Sequence, residues 1–99
     1  MSAVTKGVFI VAAKRTAFGT FGGAFKNTTS TQLQTVAAKA AIEASGLQPT
    51  QIDSVNIGNI LAVSSTDGIY LPRHVLLNCG IPQDRPALGV NRLCGSGFQ

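Results

Sequence analysis

The sequence predicts an α/β fold in which parallel strands alternate with helices. Three observations carry that expectation. A continuous apolar run rich in β-branched residues, VFIVAA, stands at residues 8–13. A single helix-period stripe follows at residues 33–44. Two further short apolar segments, at 54–63 and 87–93, flank a second helical pattern.

Taken in order, residues 8–13 read as a strand buried on both faces, as in a parallel sheet. Lys14-Arg15-Thr16 ends it, and a glycine-rich loop with phenylalanines (AFGTFGGAF, 17–25) follows. The first helix is the clearest element. Leu33, Val36, Ala37, Ala40, Ala41 and Ala44 fall on one stripe. Thr29 and Gln32 have capping-box spacing, Gly46 supplies a stop, and Pro49 lies just beyond. Because the stripe is mostly alanine, it can pack closely on a neighbour.

A second strand is expected within 54–63 (SVNIGNILAV), ending near Asn59, with Val55, Ile57, Leu61 and Val63 on one parity. A short helix spans Tyr70 to Asn78 with Asp67 or a nearby residue as cap, Pro72 in its first turn, and Gly80 and Pro82 at its end. A third strand, 87–93, runs directly into Cys94.

Composition narrows the function classes. At 44% hydrophobic and 12% charged, the chain is globular rather than disordered. The net charge is +4, but the basic residues are scattered without stacking aromatics, which argues against a nucleic-acid partner. No apolar run reaches the roughly 18 residues of a membrane span. The first acid is Glu43, so the start is basic and rich in Ser and Thr, as mitochondrial targeting segments are. Residues 8–13 equally make that start a piece of the fold. No secretory signal pattern precedes Cys79 and Cys94, so both are expected as thiols, with a disulfide between them left open by sequence.

The chemistry concentrates in NRLCGSGFQ, residues 91–99. A strand that feeds Cys-Gly-Ser-Gly makes a strand-to-turn junction. A helix starting there would present free N–H groups to the sulfur. A thiolate attacks carbonyl carbon, a nearby N–H can hold the developing oxyanion, and Gly95 and Gly97 let a substrate come close. The competing reading is an inert core thiol, which the frequency of buried free cysteines favours. Few residues follow Cys94, so that helix turn is expected to lack downstream N–H donors and to be poorly organised.

Other candidates carry less. His74 is the only histidine and reads as a surface or helix-packing residue. His74, Cys79 and Cys94 have no zinc-ligand spacing, so no metal is expected. Gly19-Thr20-Phe21-Gly22-Gly23 lacks the dinucleotide fingerprint and reads as a structural loop. Cys79 reads as structural, and Asp53, Asp67 and Asp84 as isolated acids.

The motifs AAKRTAFGTFGGAF, AAKAAIEASG, IGNIL, DGIYLPRHVLLNCGIP and NRLCGSGFQ together resemble the thiolases, the acetyl-CoA C-acyltransferases. The resemblance runs from about Val8 to Gln99. Residues 64–82 look most like the mitochondrial 3-ketoacyl-CoA branch. Ala17 and Ala62 depart from common family residues, at loop positions that tolerate change. The resemblance implies a layered α/β/α thiolase fold, with residues 1–99 as the first part of the N-terminal domain. It implies Cys94 as the acyl-accepting nucleophile that cleaves a 3-ketoacyl-CoA to acetyl-CoA and a shortened acyl-CoA in fatty-acid β-oxidation. Coenzyme A thioesters and CoA are then substrates, with no resident cofactor or metal. It further implies a homodimer or homotetramer in the mitochondrial matrix, with the cytoplasm as the alternative. The family's Gly-His-Pro, Cys-x-Gly and Asn-Glu motifs belong to later segments, so the 99 residues alone are expected to be inactive. A rival expectation is a non-enzymatic short isoform that binds or interferes with full-length subunits.

Overall fold

The computed structural model describes residues 7–99. Two helices and two strands make up its regular structure: α1 (Ser30–Ser45), β1 (Val55–Gly58), α2 (Leu71–Asn78) and β2 (Ala87–Val90). The strands pair in parallel, Val55 with Ala87 through Gly58 with Val90. Bonds from Val55 N–H to the Pro86 carbonyl (3.1 Å) and from Asn59 N–H to the Val90 carbonyl (2.9 Å) bracket the ladder. Because α2 connects the two strands, the unit is a β-α-β crossover, the connection parallel pairing requires.

Both ends of α1 form as their residue types dictate. The Thr29 hydroxyl accepts from Gln32 N–H (3.1 Å), and the Gln32 side chain accepts from Thr29 N–H (2.8 Å), closing the capping box. Gly46 ends the helix at φ 74°, where a β-carbon would be strained. The helix nevertheless buries a face other than the expected one. Thr31 and Thr35 are buried, and Ala38 and Ile42 pack on the core. At about 100° per residue this line lies roughly opposite the Leu33–Ala44 stripe. Leu33 and Ala37 lie beside Lys14–Thr16, and Val36 is exposed. Specific contacts choose the face: the Thr31 hydroxyl bonds to Asp67, and the Cys79 thiol sits 4.0 Å from the Thr35 carbonyl.

The core gathers Ile57, Leu71, Val75, Leu76, Cys79 and Ile81 between α1, α2 and the sheet. Helix α2 begins with Pro72 in its first turn, as expected. It ends in a Schellman motif, with Ile81 N–H bonded to the Leu76 carbonyl, Gly80 N–H to the Leu77 carbonyl, and Gly80 at φ 76°. Arg73 and Arg85 then tie down the chain leading into β2. Arg73 donates to the carbonyls of Gln83 (2.7 Å) and Arg85 (3.2 Å), and Arg85 to those of Ile52 (3.0 Å) and Thr50 (3.3 Å). These two cations therefore hold backbone rather than offer a binding surface.

Three further expectations are corrected. Residues 8–13 form no strand: no described strand lies beside them to take their backbone hydrogen bonds, and Val8, Phe9, Ile10 and Val11 are exposed. The second strand ends at Gly58, one residue from the expected Asn59. Leu61 and Val63 are exposed, and Ala62–Ser64 is a 3₁₀ turn. The third strand stops at Val90, because Leu93 turns to φ 49°. Asp67 holds the cap position of the 3₁₀ turn Gly68–Tyr70 that leads into α2, but its side chain makes no capping bond, the cap position of α2 itself is Tyr70, and Asp67 is not isolated.

The Asp67 carboxylate instead accepts from the Thr31 hydroxyl (2.6 Å), from His74 Nδ1 (2.6 Å) and from the Thr66 hydroxyl (3.2 Å). It thereby joins the start of α1 to the middle of α2. The bond from Thr31, then that from His74, holds its carboxyl below the usual carboxylate range. A depressed folded value stabilises fully above the unfolded value of about 4 and is lost as pH falls through the folded one. Asp67→Asn is therefore expected to melt below the wild-type chain at pH 7. Thermal melts stepped from pH 7 to pH 3 should show that gap closing as the wild-type carboxylate takes up its proton.

Candidate active site

The two parallel strands end side by side, and the Cys94 turn is built over their carboxyl ends. Sequence and packing fix it from below. Gly58, the last residue of β1, lies against the turn: a β-carbon there would stand 3.1 Å from both the Ser96 β-carbon and the Ser96 carbonyl oxygen. Glycine lets the strand end approach this closely without the Ser96 turn having to give by a few tenths of an ångström. Gly58→Ala is expected to cost about 1–3 kcal/mol through overpacking, whereas Gly97→Ala, with nothing within 4 Å, should stay within about 0.5 kcal/mol. Urea midpoints of the two variants make the comparison, and equal costs would remove the proposed contact.

Above Gly58 the backbone turns sharply. Gly95 N–H bonds to the Arg92 carbonyl (3.0 Å), and Ser96 N–H to the Leu93 carbonyl (3.0 Å). Leu93 adopts φ 49°, the one positive value among described residues other than glycine. That conformation costs a side-chain-bearing residue about 1–2 kcal/mol. Side chains add further bonds. The Asn91 amide accepts from Leu93 N–H (3.1 Å) and donates to the Ile60 carbonyl (3.2 Å). The Ser96 hydroxyl accepts from Arg92 N–H (2.9 Å) and donates to the Leu93 carbonyl (2.7 Å). The Arg92 guanidinium reaches the Gln99 side chain at 2.6 Å.

Cys94 itself is exposed at the crest of this turn. A 3₁₀ turn, Ser96–Phe98, follows it, with Phe98 N–H bonded to the Gly95 carbonyl (3.1 Å). The turn is thus organised, against the expectation from sequence. Its order comes from the backbone N–H groups of Gly95, Ser96, Phe98 and Gln99 together with the Asn91 and Ser96 side chains. Among the described residues Cys94 is exposed, whereas Cys79 is buried. A cleft of about 260 Å³ opens beside the turn, lined by Asn59, Ala62, Ile69, Pro72, Val90 and Asn91, and Cys94 does not line it.

The remaining candidates lie elsewhere. Cys79 is a free, buried thiol whose titration burial pushes upward, as fits a packing residue. His74 is half-exposed, bonded to Asp67 and stacked near Tyr70, with ring centroids 6.4 Å apart; it makes no contact with Cys94 among the described residues. No group of three or more His, Cys, Asp or Glu side chains among the described residues could hold a metal ion. The glycine-rich loop forms turns, with Gly23 N–H bonded to the Thr20 carbonyl (2.9 Å), and Arg15 lies 5.4 Å over the Phe18 ring. Asn91, Ser96 and Gly58 were not singled out from sequence as site residues. The available signal was residue type, since Asn and Ser side chains readily bond nearby backbone.

Comparison with known proteins places this geometry in a family. Residues 8–99 match the thiolase N-terminal domain family. The chain is 58% identical over 97 residues to human mitochondrial 3-ketoacyl-CoA thiolase, covering 98% of this chain and 24% of that protein. It is 40% identical over 92 residues to an acetyl-CoA acetyltransferase of Clostridioides difficile, covering 93% of this chain and 84% of that one. A crystal structure of the human mitochondrial 3-ketoacyl-CoA thiolase in complex with CoA superposes with a TM-score of 0.87 over 92% of this chain and 23% of its own. The chain thus spans about a quarter of the length of the mitochondrial thiolases it matches. With the family match over residues 8–99 and the structural match in agreement, the chain belongs to the thiolase N-terminal domain family.

Proposed function

We propose that these residues are the first part of the N-terminal domain of a 3-ketoacyl-CoA thiolase, and that Cys94 is its acyl-accepting nucleophile. One observation carries the reading: an exposed cysteine on a tightly bonded turn at the carboxyl ends of two parallel strands. In open α/β sheets ligands meet the protein at that end.

The Cys94 sulfur, as the thiolate, adds to the 3-keto carbon of a 3-ketoacyl-CoA. The bond between C2 and C3 then breaks, and its electron pair leaves on the acetyl-CoA carbanion, which takes up a proton. The shortened acyl group remains on Cys94 as a thioester. The thiol of free CoA attacks that thioester, loses its proton and releases the acyl-CoA and Cys94. Splitting one cleavage into two acyl transfers is what a covalent nucleophile contributes. Proton transfers and most CoA contacts belong, by the family resemblance, to later segments, so turnover is a property of the complete polypeptide.

Relatives named as mitochondrial 3-ketoacyl-CoA thiolases support fatty-acid β-oxidation in the mitochondrial matrix as the setting. A relative solved with CoA supports CoA thioesters as substrates. We include a homodimer or homotetramer in the proposal on the family resemblance. The test is release of acetyl-CoA by the complete polypeptide given a 3-ketoacyl-CoA and free CoA. Consumption of the ketoacyl-CoA without acetyl-CoA would sink the reading.

Exposed Phe9, Phe18, Phe21 and Phe98 favour a second reading, in which the 99-residue chain binds thiolase subunits without catalysis. Titrating it into full-length enzyme separates the two. Dose-dependent loss of activity or a mixed oligomer supports the second reading, and unchanged activity and mass oppose it.

A further inference from the structure

We propose that Ser96 and Asn91 are positioning residues that hold Leu93 in its left-handed conformation and so aim the Cys94 sulfur; the inference rests on the reading of Cys94 as nucleophile. Leu93 has no polar side chain to satisfy its own backbone, and it is exposed, so packing among the described residues does not hold it at φ 49°. Hydrogen bonds to its peptide groups do. Its N–H goes to the Asn91 amide oxygen at 3.1 Å. Its carbonyl takes both Ser96 N–H at 3.0 Å and the Ser96 hydroxyl at 2.7 Å. The same hydroxyl accepts from Arg92 N–H at 2.9 Å, so one oxygen joins the residues on either side of the Arg92–Leu93 peptide.

The other ends of the clamp are anchored in the sheet. Asn91 follows β2 directly and reaches across to the Ile60 carbonyl beyond β1, while Ser96 rests on Gly58. Without the clamp, Leu93 would relax to an ordinary negative φ near −60°, a rotation of about 110° just before Cys94. The sulfur would then leave the position the two strand ends define. Misplacing a reacting atom by about 1 Å can cost about 100-fold in rate.

The experiment uses the complete polypeptide with Ser96→Ala, Ser96→Thr, Asn91→Ala, and Ser96→Ala combined with Leu93→Gly. Ser96→Ala and Asn91→Ala are expected to lower kcat for thiolysis by about tenfold or more, with KM changed by no more than about threefold. Ser96→Thr keeps the hydroxyl and should stay within about threefold of wild type. Glycine tolerates positive φ, so Leu93→Gly should return at least about threefold of the activity lost in Ser96→Ala. Peptide-resolved alkylation of Cys94 by iodoacetamide gives a readout that needs no acyl transfer. Its rate should change by more than about twofold in Ser96→Ala and move back toward wild type with Leu93→Gly. Equal alkylation rates across the set, or losses that neither threonine nor the glycine partner restores, would overturn the proposal. Thiolysis that survives Cys94→Ala would overturn the nucleophile reading instead, while the alkylation pattern still judges the clamp.

Discussion

Cys94→Ala in the complete polypeptide is expected to reduce thiolysis of a 3-ketoacyl-CoA by at least about 1,000-fold, with substrate binding largely retained. The magnitude follows from what the residue supplies. Alanine has no electron pair to form the thioester, so the two-step route closes and only positioning effects remain. Cys94→Ser keeps the shape but replaces a thiol with an alcohol, a far weaker nucleophile near neutral pH, and should also fall by orders of magnitude. The location sharpens the expectation. In the 99-residue chain Cys94 is exposed above two strand ends, so removing its sulfur creates no core cavity there and should leave that chain's melting temperature nearly unchanged. Cys79→Ala offers the contrast: a buried thiol off the site, whose loss should read in stability rather than in chemistry. A Cys94→Ala protein that turns over within tenfold of wild type would remove the nucleophile from the account.

Leu76→Ala is expected to destabilise the fold by about 2–5 kcal/mol. Leu76 is 0% exposed and stands with Val75 at the centre of the core that joins α1, α2 and the sheet. Truncation leaves a cavity its close-packed neighbours can only partly fill. A small domain has about 5–15 kcal/mol in total, so a loss of this size takes a large share. Leu88→Ala is the comparison, because Leu88 is exposed on β2, and its cost should stay near 0.5 kcal/mol. Denaturant midpoints of the two variants in one background test the assignment of the core. Similar shifts for both would contradict it.

Local chemistry in the sequence was enough to locate the parts of the fold whose cause is local. Thr29 with Gln32 marked the start of α1, Gly46 its end, Pro72 the first turn of α2 and Gly80 its stop. Parallel pairing followed from alternation of strand and helix patterns, and one such pair is present. Parts whose cause is a distant partner were misread. Residues 8–13 carry strand-like composition, but a strand needs a neighbour for its backbone, and none is described beside it. The alanine stripe of α1 has the right period, yet Thr31 and Thr35 face the core because Asp67 and Cys79 bond or contact them. Asp67 looked solitary because Thr31 is 36 positions away in sequence.

The site divides the same way. Cys94 was legible because a strand, a cysteine and two glycines in NRLCGSGFQ make a turn with a nucleophile on it, and the thiolase resemblance raised that reading above the core-thiol alternative. What organises the turn was less legible. Asn91 and Ser96 side chains bond back onto Leu93, and Gly58 packs beneath Ser96, adjacent only because β1 and β2 end together. The expectation of a poorly organised turn counted too few downstream backbone donors, since Gly95, Ser96, Phe98 and Gln99 all donate within it, and left these side chains out.

The most direct measurement is the mass of the Cys94 peptide after the complete polypeptide is mixed with a 3-ketoacyl-CoA in the absence of free CoA and quenched in acid. The account predicts the mass of the shortened acyl group on the peptide containing Cys94, discharged when CoA is added before the quench. Acetyl-CoA formed with Cys94 unmodified, or the acyl group found on another residue, would contradict it.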